Sequence, residues 1–139
     1  MKKFEFLEHT GDIKFRIYGK TFAEIFENSA LAVSEYLTRG KKIKLKKKKQ
    51  FSLISSENDL NLLLYKFLDE LIFFLDAENF LVAKAKVIIK KSHLKAVVYG
   101  DKASDYKDLD HIKAATYSEM YIKNLGKGNG WEAQAVMDV

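Results

Sequence analysis

The chain has 139 residues, 47% of them hydrophobic and 31% charged, with a formal net charge of +5 and neither proline nor cysteine. A chain of this length buries roughly 70% of the surface its unfolded form exposes, so residues 1–139 are expected to form one globular domain without disulfides or a structural metal. The absence of cysteine excludes thiolate zinc sites, iron–sulfur ligation, thiol nucleophiles and redox pairs. No stretch has a secretory leader's pattern or approaches the ~18 apolar residues that span a bilayer, which leads to the expectation of a soluble, cytoplasmic protein with no membrane partner.

Two apolar segments, Phe4–Glu8 and Ile13–Tyr18, open the chain. The second alternates with period two and predicts a half-buried strand. Between them, His9-Thr10-Gly11-Asp12 has the composition of a tight turn. Thr21 followed by Glu24 is a capping-box pattern, and Phe22, Ile25, Phe26, Ala30, Val33 and Leu37 recur at helical spacing up to Gly40. Seven of the 24 basic residues then fall between Lys41 and Lys49, so the rest of the chain is close to neutral. Ile43, Leu45, Phe51 and Leu53 share one parity there, which predicts a long strand with a lysine-rich exposed part. Lysines of this kind protect a sheet edge from aggregation.

Ser56, with Asp59 three residues on, can cap a second helix running to about Glu78, with Leu60, Leu63, Leu64, Phe67, Leu68, Leu71, Ile72 and Leu75 on its apolar stripe. The period returns to two from Leu81 to Ile89, and a Lys91-Ser92 turn leads into His93–Gly100, which predicts a hairpin. Asp101–Asp110 reads as a polar loop, followed by strands near Ile112–Thr116 and Met120–Lys123. The glycines from Gly126 to Gly130 mark a turn before a last strand, Trp131–Val139. The resulting class is α+β: a single compact domain with a mainly antiparallel curved sheet and two amphipathic helices packed on it.

Independent catalysis finds little support. There is no Gly-x-Ser-x-Gly elbow, and His9, His93 and His111 lack the short helical spacing of a zinc site. The loop from Gly126 to Gly130 lacks a Gly-Lys-Ser/Thr ending and precedes a strand where a phosphate-binding loop needs a helix. The carboxylates are more informative. Asp138 shares the parity of Glu132 and Gln134, opposite Ala133, Ala135 and Met137, and the carboxylate of Val139 follows it. Together with Asp12 these oxygens would suit a hard cation such as calcium, magnesium or manganese. On spacing alone the metal signal is weak, and Asp12 reads as a turn residue and Asp138 as a solvated strand end.

The assembled motifs resemble the archease family. His9-Thr10-Gly11-Asp12-Ile13 with Gly19 and the helix around Thr21, Phe26, Glu27 and Ala30 is similar to its opening. Asp59-Leu60 through Asp69-Glu70-Leu71 to Phe74-Leu75-Asp76 is similar to its second helix, Ile112–Tyr117 to its lysine-containing strand, and Trp131–Val139 to its ending. The resemblance implies a compact α+β fold and a non-enzymatic role: activation of an RtcB-type tRNA-splicing RNA ligase by promoting its GTP-dependent guanylylation and multiple turnover, with tRNA contact as a further expectation. It also implies that Asp12, Asp138 and Val139 bind a divalent metal and that Lys113 is the functional lysine, suited to a phosphate or a partner carboxylate. The chain departs from the family pattern at Ser118, where many members have histidine, and at Gly11, where alanine is frequent.

Two other readings remain open from the residues. An RNA-binding chaperone for tRNA-modifying enzymes would use the Lys41–Lys49 segment through salt-sensitive phosphate contacts. A metal-dependent phosphoesterase would need further carboxylates or histidines at a spacing that the sequence does not present.

Overall fold

The computed structural model describes residues 2–55 and 59–139. Among them the order is β1 (Phe4–Leu7), β2 (Asp12–Gly19), α1 (Phe22–Thr38), β3 (Lys47–Ile54), α2 (Leu60–Glu78), β4 (Phe80–Lys90), β5 (His93–Lys102), a 3-10 turn (Ala103–Asp105), β6 (Ala114–Ala115), β7 (Tyr121–Asn124) and β8 (Trp131–Asp138). All strand pairings are antiparallel. The α+β class is as expected, but the strands divide between two sheets. One runs β1-β2-β8, with β6 and β7 pairing successive parts of the far edge of β8; the other runs β3-β5-β4.

Local chemistry explains the helices. The Thr21 hydroxyl accepts from the Glu24 amide at 3.2 Å, and the Glu24 carboxylate reaches back to the Lys20 amide at 3.1 Å, one residue ahead of the usual capping-box partner. Left-handed Arg39 ends α1. Asp59 caps α2, its carboxylate accepting from the Leu62 amide at 3.0 Å, and left-handed Asn79 ends that helix. Ser56, expected as the cap with Asp59 as its partner three residues on, lies outside the described residues.

The apolar helix faces meet the inner faces of the strands in one core. Phe26, from α1, and Phe67, from α2, are fully buried with ring centroids 5.4 Å apart, and Phe67 also meets Phe51 of β3 at 5.8 Å. Helix α1 packs against β2 and β4 and so ties the two sheets together. Its Glu27 carboxylate accepts from the Val87 amide at 2.8 Å, blunting the free edge of β4.

Two expected elements differ from the fold. Residues 41–46 carry no regular structure, and the strand begins only at Lys47; the Lys44 amide is instead held by the Tyr106 hydroxyl at 2.9 Å. β3 is an edge strand, as its lysines suggest. The expected polar loop starts two residues later than Asp101, because Asp101 and Lys102 continue β5. Asp101 is buried, and its carboxylate takes hydrogen bonds from the Tyr106 hydroxyl at 2.7 Å and the Lys102 amide at 2.9 Å, which hold it below the usual carboxylate range.

Candidate functional site

The register of β2 against β8 sets Asp12 directly opposite Asp138, and β6 then sets Ala114 opposite Asp138 from the other side. The Lys113 amide donates to the Asp138 carbonyl at 2.8 Å. Asp12, Lys113 and Asp138 thus converge at one end of the five-stranded sheet. Asp12 is a strand residue, not the turn residue its neighbours suggested. Gly11 before it has φ +79, a conformation that a β-carbon disfavours, which gives a local reason for glycine at this position. Lys113 meets Asp138 through the main chain; its side chain is exposed and makes no ion pair with a described residue. Val139 is half-buried, its side chain packed against the core.

Asp12 and Asp138 point to the same side of the sheet, since directly paired residues do so. Carboxylates so placed have β-carbons roughly 5 Å apart and repel each other. Asp12 is half-buried and Asp138 exposed. The nearest cation-capable group to Asp12 is His9, whose Nδ1 lies 3.6 Å from its carboxylate. That nitrogen is buried and has no hydrogen-bond partner among the described residues.

His9 belongs to a polar network that motif reading missed. Its Nε2 lies 3.0 Å from one Glu119 oxygen, and Lys14 Nζ donates to the other at 2.9 Å. The Glu119 carbonyl accepts from the Gln134 side-chain amide at 2.8 Å, and the Gln134 oxygen accepts from Arg16 Nε at 3.1 Å. Glu119 occupies the left-handed region at φ +54, and these contacts from both its carboxylate and its carbonyl fix it there. Lys14 first, and then His9, hold its carboxyl below the ordinary range. Further along, the Tyr121 hydroxyl donates to Glu132 at 2.6 Å, and burial, reinforced by that carboxylate, pushes the phenol up to about 12. Only the three-residue interval between His9 and Asp12 was visible as a signal. Glu119 is brought in by the chain reversal between β6 and β7, which no motif announces.

As a metal site the arrangement offers oxygen donors suited to hard cations. Among the described residues, however, no group of three or more His, Asp or Glu side chains is placed to hold an ion. Any ion would therefore need main-chain oxygens or water to complete its shell. No described helix is long and apolar enough to cross a membrane.

Residues 4–139 match the archease protein family (MTH1598/TM1083). Proteins named archease from Sulfurisphaera tokodaii and Thermococcus kodakarensis are each 37% identical to the chain, over 143 and 145 residues, with full coverage of both partners. The solution structure of Methanobacterium thermoautotrophicum protein 1598 superposes with a TM-score of 0.78 at 31% identity, again covering 100% of each chain. In its strand and helix pattern, in the meeting of its first and last motifs, and in these full-length likenesses, the chain belongs to the archease family.

Proposed function

We propose that the protein is a non-catalytic activator of an RtcB-type tRNA-splicing RNA ligase in the cytoplasm, promoting GTP-dependent guanylylation and multiple turnover. The observation that supports this best is the cross-strand placement of Asp12 against Asp138, with Lys113 bonded to the Asp138 main chain. Two carboxylates are presented together at an open sheet end. Buried Met137 and Ala115, with partly buried Ile13, pack into the core on the opposite face of the same strands. The His9–Glu119–Lys14 network is a second support, because it fixes the chain beside Asp12.

In this reading Asp12 and Asp138, with the Val139 carboxylate, hold a divalent cation of the calcium, magnesium or manganese type or present their oxygens to the ligase. Such an ion supplies concentrated positive charge for phosphate groups. The Lys113 ammonium, free of described partners, supplies a compact charge for a phosphate or a ligase carboxylate.

The test is multiple-turnover RNA ligation by a cognate ligase with GTP, with and without the protein. Addition is expected to raise both the ligation rate and the guanylylated fraction of the ligase. Asp12→Asn and Asp138→Asn are expected to lose the effect while keeping the fold. An unchanged rate with the parent protein rejects the function; full activation by both variants rejects the site.

A further inference from the structure

The two sheets turn very different outer faces to solvent. On the five-stranded sheet acids and bases alternate and pair, as in Lys14 with Glu119 and Lys123 with Glu132. On the three-stranded sheet, Lys48, Lys84, Lys86, Lys90 and Lys95 occupy outward positions of all three strands. All five are exposed, and none pairs with a described acid. From the Lys48–Tyr99–Lys84 row to the Ile54–His93–Lys90 row, no outward position carries a carboxylate. Asp101, beyond the first row, is buried and engaged by Tyr106.

The face is more than a charged surface. Tyr99 stands on the middle strand between Lys48 and Lys84, with the Lys84 ammonium 5.6 Å from its ring centroid. Ile88, at 61% exposure, sits in a row with Lys95 and Ser52, between two open depressions. Neighbouring strands lie about 4.8 Å apart and alternate residues about 7 Å apart along each strand, so the ammonium groups form a two-dimensional grid around an aromatic ring and an apolar patch. Cations that track a phosphate backbone beside a ring on which a base stacks are the recognition chemistry of single-stranded nucleic acid. An acidic protein would use the cations and leave the aromatic position without purpose.

We propose that the outer face of the β3-β5-β4 sheet binds a single strand of nucleic acid, through Lys48, Lys84, Lys86, Lys90 and Lys95 to phosphates and through Tyr99 to a base. This surface is distinct from the Asp12–Asp138 end, which lies on the other sheet, and from the irregular 41–46 segment. It does not depend on the ligase reading, and its test uses no ligase.

The test is fluorescence anisotropy of a labelled 20-nucleotide oligouridylate titrated with the full chain at several salt concentrations. Five phosphate contacts on a single strand predict a slope of log affinity against log salt near −3.5, about a hundredfold loss between 50 and 200 mM. Lys84→Gln alone is expected to reduce that slope by about 0.7, and the fivefold Lys→Gln variant, checked for its melting transition, to abolish most binding. Tyr99→Leu is expected to weaken binding at least about fivefold with the slope unchanged. Neutralising Lys41, Lys42, Lys44 and Lys46 is expected to leave the slope near the parent's. No binding at 50 mM salt, a slope unaffected by Lys84→Gln and by the fivefold change, parent-like binding by Tyr99→Leu, or equal competition by polyglutamate at matched charge would each overturn the proposal.

Discussion

Replacing Asp138 by asparagine separates the contribution of a facing carboxylate pair from that of an ion held between them. Asp12 and Asp138 are direct cross-strand partners. At a β-carbon spacing of about 5 Å and a water-like dielectric, their repulsion is roughly 0.8 kcal/mol. In a chelating buffer Asp138→Asn should therefore melt higher than the parent, by about 3 °C for a domain of this size. A divalent cation at a hundred times its dissociation constant should stabilise the parent by about 2.7 kcal/mol and raise its melting temperature accordingly. Most of that increment should vanish in the variant, which keeps volume and shape but loses the charge. Differential scanning calorimetry with and without calcium, magnesium or manganese measures both quantities on one protein. A variant that melts below the parent in chelator would refute the repulsion argument, and an equal cation-induced rise in both proteins would remove Asp138 from the ion site.

Three further outcomes are expected. Gly130→Ala combines a φ of +84 with a β-carbon that would stand 2.5 Å from the Gly19 carbonyl oxygen, so it should cost about 2 kcal/mol or more in urea unfolding. Phe67→Ala empties a fully buried site between α1, α2 and β3 and should cost about 3–5 kcal/mol in the same assay. Phenolate absorbance should show one tyrosine ionising near 12 that disappears in Tyr121→Phe. Because that folded value is raised, its stabilisation is complete below the ordinary tyrosine range near 10 and is lost as pH rises towards 12; unfolding free energies of parent and variant should converge over that interval.

Local patterns carried most of the fold. The caps at Thr21 and Asp59, the stripes of both helices and the hairpin from Phe80 to Lys102 all follow from interactions within a few residues. The partition into two sheets does not, because period two identifies a strand without naming its partner. At the site, the family resemblance grouped Asp12 with Asp138, but spacing alone did not show their cross-strand register, which joins strands more than a hundred residues apart. β6 contains only Ala114 and Ala115, shorter than the strand expected near Ile112–Thr116, yet it positions Lys113. Glu119 lay in an unremarkable turn, and its bonds to His9 and Lys14 arise from tertiary closure alone.

β8 is paired along its whole length with β2 on one side and with β6 and β7 on the other. Closing it onto β2 brings together ends separated by over a hundred residues, an entropic cost on the order of 4 kcal/mol before any contact is counted. A chain lacking β8 leaves the edge of β2 that β8 covers without its partner, and such an edge is open to foreign strands. The Asp12–Asp138 pair comes into existence only with the last closure, so its presence reports on the folding of the whole chain.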